Sequence, residues 1–159
     1  MEIVDEQHTR VNILQYPDER LLKPSISVVG LDETTTNVAL LLERMVLDLQ
    51  TLGLSAPQIN VQKRLFVLKR NGRIYHLINP ELSWTHGRQT FYEGCSSFPG
   101  QIFKVERHAE VVIDAVDLHG KEISFLLNGE LGRVAQHQMD HLNGILINAK
   151  GELLSQDAA

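Results

Sequence analysis

The sequence predicts an α+β domain, and three observations carry that prediction. Two stretches alternate apolar and polar residues on either side of a turn, the pattern of antiparallel hairpins. Two other stretches, far apart in the chain, repeat apolar residues at helical spacing. Finally, 159 residues is the size of one domain, large enough to bury a core without cross-links. A single domain over residues 1–159 is expected, with 1–10 and 150–159 flexible because both ends are polar.

The elements follow in chain order. "ILQYPDERLLKPS" mixes apolar positions with two prolines and reads as an extended segment lying across the domain. Residues 34–53 predict a helix: Val38, Leu41, Leu42, Met45, Val46 and Leu49 recur on one face. Thr35 or Thr36 is the expected N-cap, and Gly53 the expected stop. "TLGLSAPQIN" then reads as a loop. "RLFVLKR" and "RIYHLINP" flank Asn71-Gly72, a strong short hairpin signal. "EVVIDAVDLHGKEISFLL" predicts a second hairpin turning near His119-Gly120. The stretch between the hairpins is richer in glycine and polar residues. The last helix is "NGELGRVAQHQMDHLNG", with Asn128 as N-cap, an apolar stripe of Leu131, Val134, Ala135, Met139 and Leu142, and Asn143-Gly144 as stop.

Composition narrows the partners. Net charge is −5, and 43% hydrophobic against 22% charged residues is an ordinary globular balance. No basic excess points to nucleic acid or to an anionic membrane surface. No apolar run approaches the ~18 residues of a membrane span. The single cysteine, Cys95, excludes an internal disulfide framework and fits a reducing compartment. The opening "MEIVDEQHTR" lacks the pattern of a secretory signal. A cytoplasmic monomer is the expectation.

The chemistry concentrates in "QHQMDHLNG", residues 136–144. His137 and His141 stand four apart, about one helical turn, so both imidazoles leave one helix face and can share a metal ion. A catalytic site also needs a third protein ligand and an open position, and Cys95 is the available thiolate. A thiolate with two imidazoles suits Fe²⁺ or Zn²⁺ better than Mg²⁺ or Ca²⁺. An H-E-x-x-H protease would carry glutamate where this chain has Gln138. A free cysteine nucleophile at Cys95 competes with metal ligation, because a coordinated thiolate is not free to attack.

"GLSAPQ" (53–58), "EGCSS" (93–97) and "QHQMDH" (136–141), in this order, resemble the three signature motifs of the peptide deformylases, G-x-G-L-A-A-P-Q, E-G-C-L-S and Q-H-E-x-D-H. "ILQYPDERL" and "INPEL" are similar to further stretches of that family, so the resemblance spans about residues 11–147. It implies a deformylase-like fold, antiparallel hairpins or sheets around a central metal-binding helix, and one divalent metal held by Cys95, His137 and His141. That metal is commonly Fe²⁺, replaceable by Zn²⁺, Ni²⁺ or Co²⁺. The implied reaction removes the N-formyl group from formyl-methionyl peptides, so the implied partner is the N-terminus of a nascent chain. Gln58 and the backbone N–H of Ser96 correspond to groups that stabilise the developing oxyanion. Glu93 corresponds to a residue orienting one histidine, and Asp140 with Arg107 to a pair supporting the helix. Leu52, Gly53, Arg133 and Val134 fall where the family's side-chain pocket lies.

The departures matter as much. Gln138 occupies the position of the glutamate that moves protons, and an amide has no useful basicity near neutral pH. Losing such a group typically costs ~10²–10⁴-fold in rate. Thr51 stands for glycine, Ser55 for alanine, Ser96 for leucine, and Ile102 where an arginine is usual. Arg133, one turn before His137, puts a guanidinium in a region that is apolar in the family. It either enters the pocket, rejecting a thioether in favour of an acidic or polar group, or turns to solvent and pairs with Glu130. Two functional expectations stand together: a deformylase weakened or altered at Gln138, or a metal-containing but inactive member that binds a formyl-peptide-like ligand or a partner.

Overall fold

The computed structural model of the chain describes residues 3–4 and 10–156. Their architecture is α+β and antiparallel, as the hairpin signals indicate. Strands β1 (Ile3–Val4) and β2 (Arg10–Val11) pair with each other. Helix α1 (Glu33–Leu49) precedes β3 (Gly53–Ser55) and β4 (Leu65–Arg70). Then come β5 (Arg73–His86), β6 (Gln89–Cys95), β7 (Phe98–Arg107), β8 (Glu110–Val116) and β9 (Glu122–Asn128). Helix α2 (Gly129–Leu142), the short α3 (Ile147–Lys150) and β10 (Gly151–Gln156) complete the order. One sheet has strand order β3-β4-β5-β8-β9, and a second has β10-β7-β6.

Strand β4 organises the core because it is covered on both faces. Its side chains alternate: Leu65 and Val67 pack with Ala39, Leu42, Met45 and Val46 of α1. Phe66 and Leu68 pack with Val134, Ala135 and Leu142 of α2. The two helices thus sandwich the larger sheet. A third cluster, Leu21, Phe98, Phe103, Val105, Leu146 and Ile147, seals the smaller sheet beneath α3. Asn71 and Gly72 both take positive φ, 52° and 77°, as a tight two-residue hairpin turn requires. At the second turn, Asp117 Oδ1 accepts from the backbone N–H of His119 and Lys121 at 2.8 and 3.0 Å.

Three local expectations are corrected, and a fourth, Asn128 as N-cap, holds in position. Helix α1 is capped by Asp32, whose carboxylate accepts from Thr35 N–H at 2.8 Å, and not by Thr35 or Thr36. It ends at Gln50 in the left-handed conformation, before Gly53. Asn128 occupies the N-cap of α2 without a side-chain capping bond. "TLGLSAPQIN" is not loop throughout, since it holds β3 and a 3₁₀ turn at Ala56–Ile59.

The polar stretch between the hairpins is itself a hairpin, β6–β7. The tail expected to be flexible from residue 150 contains β10, which pairs with β7 from Gly151↔Val105 to Gln156↔Gln101. Backbone pairing needs no apolar sequence, only a free sheet edge. Residues 157–159, and most of the expected flexible N-terminus, lie outside the described residues. Among the described residues no helix is long and apolar enough to cross a membrane.

Candidate metal centre

Two elements meet at one point. On α2, His137 and His141 are one turn apart and both buried. On β6, Glu93 and Cys95 are two residues apart, and although the pairing with β7 is irregular between them, both reach His137. The pair spans one imidazole. His137 Nδ1 lies 3.1 Å from Glu93 Oε1, and its Nε2 lies 3.2 Å from Cys95 Sγ. Cys95 Sγ is 3.4 Å from His141 Nε2, and the two Nε2 atoms are 3.1 Å apart. Glu93 thereby accepts from Nδ1–H and turns Nε2 toward Cys95 and His141, the nitrogen that would be the ligand atom for a metal.

Glu93 is itself fixed. Arg107, on β7, grips it with two bonds, Nε–Oε2 at 2.6 Å and Nη2–Oε1 at 2.9 Å. The third arm of the same guanidinium donates to Asp140 Oδ2 at 2.8 Å. Arg107 and Glu93 are both buried, and their charges are tolerable only because each is paired. Gln136 closes the other side of α2 by exchanging two hydrogen bonds with the His108 backbone.

The local field follows from this wiring. Burial alone would push Glu93 up, but His137 and Arg107 bring its carboxyl down to about 2. Burial would also raise the Cys95 thiol, yet the His137 ring brings it down to about 5, so it is a thiolate at neutral pH. Burial opposes charge on His137, but Cys95 and Glu93 overcome it and raise the ring to about 9. His141, mainly through burial, is pushed down. The centre thus favours positive charge between two anions and keeps a neutral imidazole alongside, the electrostatics a divalent cation requires.

The geometry fits as well. A tetrahedral ion with bonds of about 2.0–2.3 Å has ligand–ligand edges of about 3.3–3.6 Å. The observed triangle of 3.1, 3.2 and 3.4 Å lies within a few tenths of an ångström of that. Cys95, His137 and His141 are also the one group of at least three potential ligands this close among the described residues.

A pocket of about 300 Å³ opens on the centre. Every expected pocket residue, Leu52, Gly53, Arg133 and Val134, lines it, with Gln58, Ser96 and Gln138. Gly53 is glycine for a steric reason: a Cβ there would meet Val134 Cγ1 at 2.8 Å and Gln138 Cγ at 3.3 Å, forcing α2 away from β3. Gln58 is held in one orientation. Its Oε1 accepts from Ser55 N–H and Oγ–H, both at 3.1 Å, which turns its Nε2 toward Ser96 Oγ and Ser97 Oγ, both at 3.2 Å. Gln138 is buried, and its Oε1 has no hydrogen-bond partner among the described residues, nor does His141 Nδ1.

Sequence reasoning missed Ser97, a fully buried partner of Gln58, and missed Gln50 as a pocket residue. A serine beside a serine carries no signal of its own. Glu130, read only as a first-turn acid and a partner of Arg133, also lines the pocket. Ile102 is half-exposed on β7 and outside the pocket.

Residues 11–155 match the family described as polypeptide deformylase. A peptide deformylase of Thermodesulfovibrio yellowstonii is 35% identical over 145 residues, covering 86% of each chain. A crystal structure of a peptide deformylase from Legionella pneumophila superimposes with a TM-score of 0.83 at 37% identity, over 86% of this chain and 82% of that one. Another, from Synechococcus elongatus in complex with actinonin, does so with a TM-score of 0.85 at 31% identity, over 89% and 79%. With its cysteine, two histidines and buried acid–arginine relay assembled on that fold, the chain belongs to the polypeptide deformylase family.

Proposed function

We propose that the protein hydrolyses the N-formyl group of formyl-methionyl or related N-formylated peptides, slowly, through a metal held by Cys95, His137 and His141. The observation that carries this reading is the ligand triangle opening on a pocket that contains Gln58 and Gln138. Fe²⁺ is the proposed ion, with Zn²⁺, Ni²⁺ or Co²⁺ as substitutes, because the donors are one thiolate and two imidazoles. Such an ion supplies a Lewis acid that makes water nucleophilic near neutral pH.

The rest is the work of the chain. Glu93 and Arg107 hold His137 in one tautomer. Gln58 Nε2, with the backbone N–H of Ser96, donates to the formyl oxygen as charge develops on it. Gln138 orients the attacking water through its amide but accepts no proton from it. The substrate is the N-terminus of a new polypeptide, met by a monomer in the cytoplasm.

Gln138 also supports a second reading, an inactive member that retains metal and binds a formyl-peptide-like ligand or a partner. One measurement separates the two: formate release by the protein and by Q138E, both loaded with the same metal. A slow parent accelerated ~10²–10⁴-fold in Q138E supports the enzyme. No formate from either protein on any formylated peptide removes the enzymatic reading and leaves the binder.

A further inference from the structure

The pocket wall carries one arginine beside its apolar residues. Arg133 sits on α2 one turn before His137, lines the pocket, and has only 18% of its side chain exposed. Its nearest acid is Glu130, with 3.8 Å between Nη2 and Oε1, beyond hydrogen-bond length. No other charged or polar group among the described residues bonds to it. A largely covered arginine therefore lines the cavity with only a long ion pair to Glu130 and no hydrogen bond to its guanidinium among the described residues. Gln50, Thr51, Glu130 and Gln138 line the same pocket, with Leu52 and Val134 as its apolar wall.

We infer that this pocket selects an N-formylated substrate whose first residue ends in a carboxylate, with Arg133 as the specificity-determining residue. The inference rests on the deformylase reading above and names its substrate class. A thioether placed against Arg133 would desolvate the guanidinium without pairing it, which is unfavourable. A carboxylate accepts two parallel bonds from the same planar fork. Sites built to pair a polar group reject analogues lacking it far more strongly than apolar pockets discriminate by size. Glu130 does not block this exchange. Its side chain is 71% exposed, so its weak pairing with Arg133 yields to a substrate acid held inside the pocket.

The test uses three N-formyl peptides that differ only in the first residue, Glu, Gln or Met. Binding is measured by calorimetry on the Ni²⁺-loaded protein, and formate release on Ni²⁺-loaded Q138E. The formyl-Glu peptide is expected to bind, and to turn over in Q138E, at least tenfold better than formyl-Met. Formyl-Gln should fall between them. R133M should reverse that order, and R133E should favour a formyl-Lys peptide over formyl-Glu. E130Q should tighten formyl-Glu further. Equal or better binding and turnover of formyl-Met by the unmodified pocket overturns the inference and leaves the deformylase reading intact. If no formylated peptide binds either protein or yields formate, both fall together.

Discussion

Helix α1 buries Ala39, Leu42, Met45 and Val46, with Thr35 as its one buried polar residue. Helix α2 buries Val134, Ala135 and Leu142, but also Gln136, His137, Gln138 and His141. The first is capped by its own neighbours at both ends, through Asp32 and the left-handed Gln50. The second lacks a side-chain cap and depends on groups from β6 and β7, which supply Glu93, Cys95 and Arg107. Both helices pack on the same strand, β4, from opposite sides. One is therefore stabilised by local structure and apolar burial. The other places polar groups inside the protein, where they are stable only as a network. That difference predicts where substitutions are severe and where they are mild.

The largest effect belongs at His137, which touches Cys95, Glu93 and His141 at once. In H137A only two ligands remain, and bound metal should fall from about one ion per chain to a small fraction of that. Metal analysis after dialysis against a weak chelator reads this directly. Full retention of metal in H137A would break the comparison, since α2 would then not be the helix that holds the ion.

Arg107 comes next. Removing its guanidinium in R107M strands the buried Glu93 charge and frees Asp140, at an expected cost of about 3–5 kcal/mol in urea unfolding. Arg88, in the turn before β6, offers a control. It meets Glu106 at 2.8 Å, the same length as the Arg107–Asp140 bond, but both partners are more than half exposed. R88M should cost less than about 1 kcal/mol. Similar losses in the two variants would mean that distance matters here and burial does not.

The two helices were also unequally legible in the sequence. The histidine pair could be read because its spacing, four on a helix, does not depend on the rest of the fold; Cys95 was legible as the single cysteine, and Glu93 only through the resemblance. The ends of α1 were misread because Thr35, Thr36 and Asp32 all have capping chemistry, and only the backbone path decides among them. Gly53 stands in the sequence where a helix stop belongs, whereas its actual constraint is the approach of Val134 and Gln138 from a helix some eighty residues later. Strands β6 and β7 escaped notice because β6 presents Glu93 and Cys95 inward, which spoils the alternation that marks a strand. Strand β10 is set by its partner, as the edge of β7 is not visible in "GELLSQ" itself. The orientation of Arg133 was the most consequential ambiguity, since spacing alone allowed both the cavity and Glu130. The structure has it doing both, lining the pocket with Glu130 at 3.8 Å.

The smallest effect tests the α1 side of the comparison. Asp32 accepts a hydrogen bond from Thr35 N–H at 2.8 Å, and chiefly that bond holds its carboxyl below the usual value of 3.8. A carboxyl whose folded value is lowered stabilises the fold at pH values above the unfolded value, and that contribution is lost as pH falls through the folded one. D32A should therefore melt slightly below the parent at pH 7, and the gap should close as the pH is taken below 3.8. Metal content should not change at any pH where the parent keeps its own, because α1 contributes no ligand. A gap that persists unchanged in acid would mean that Asp32 acts through shape rather than charge. A loss of metal in D32A would be more damaging, because it would tie the cap of α1 to the centre across β4 and end the separation of the two helices.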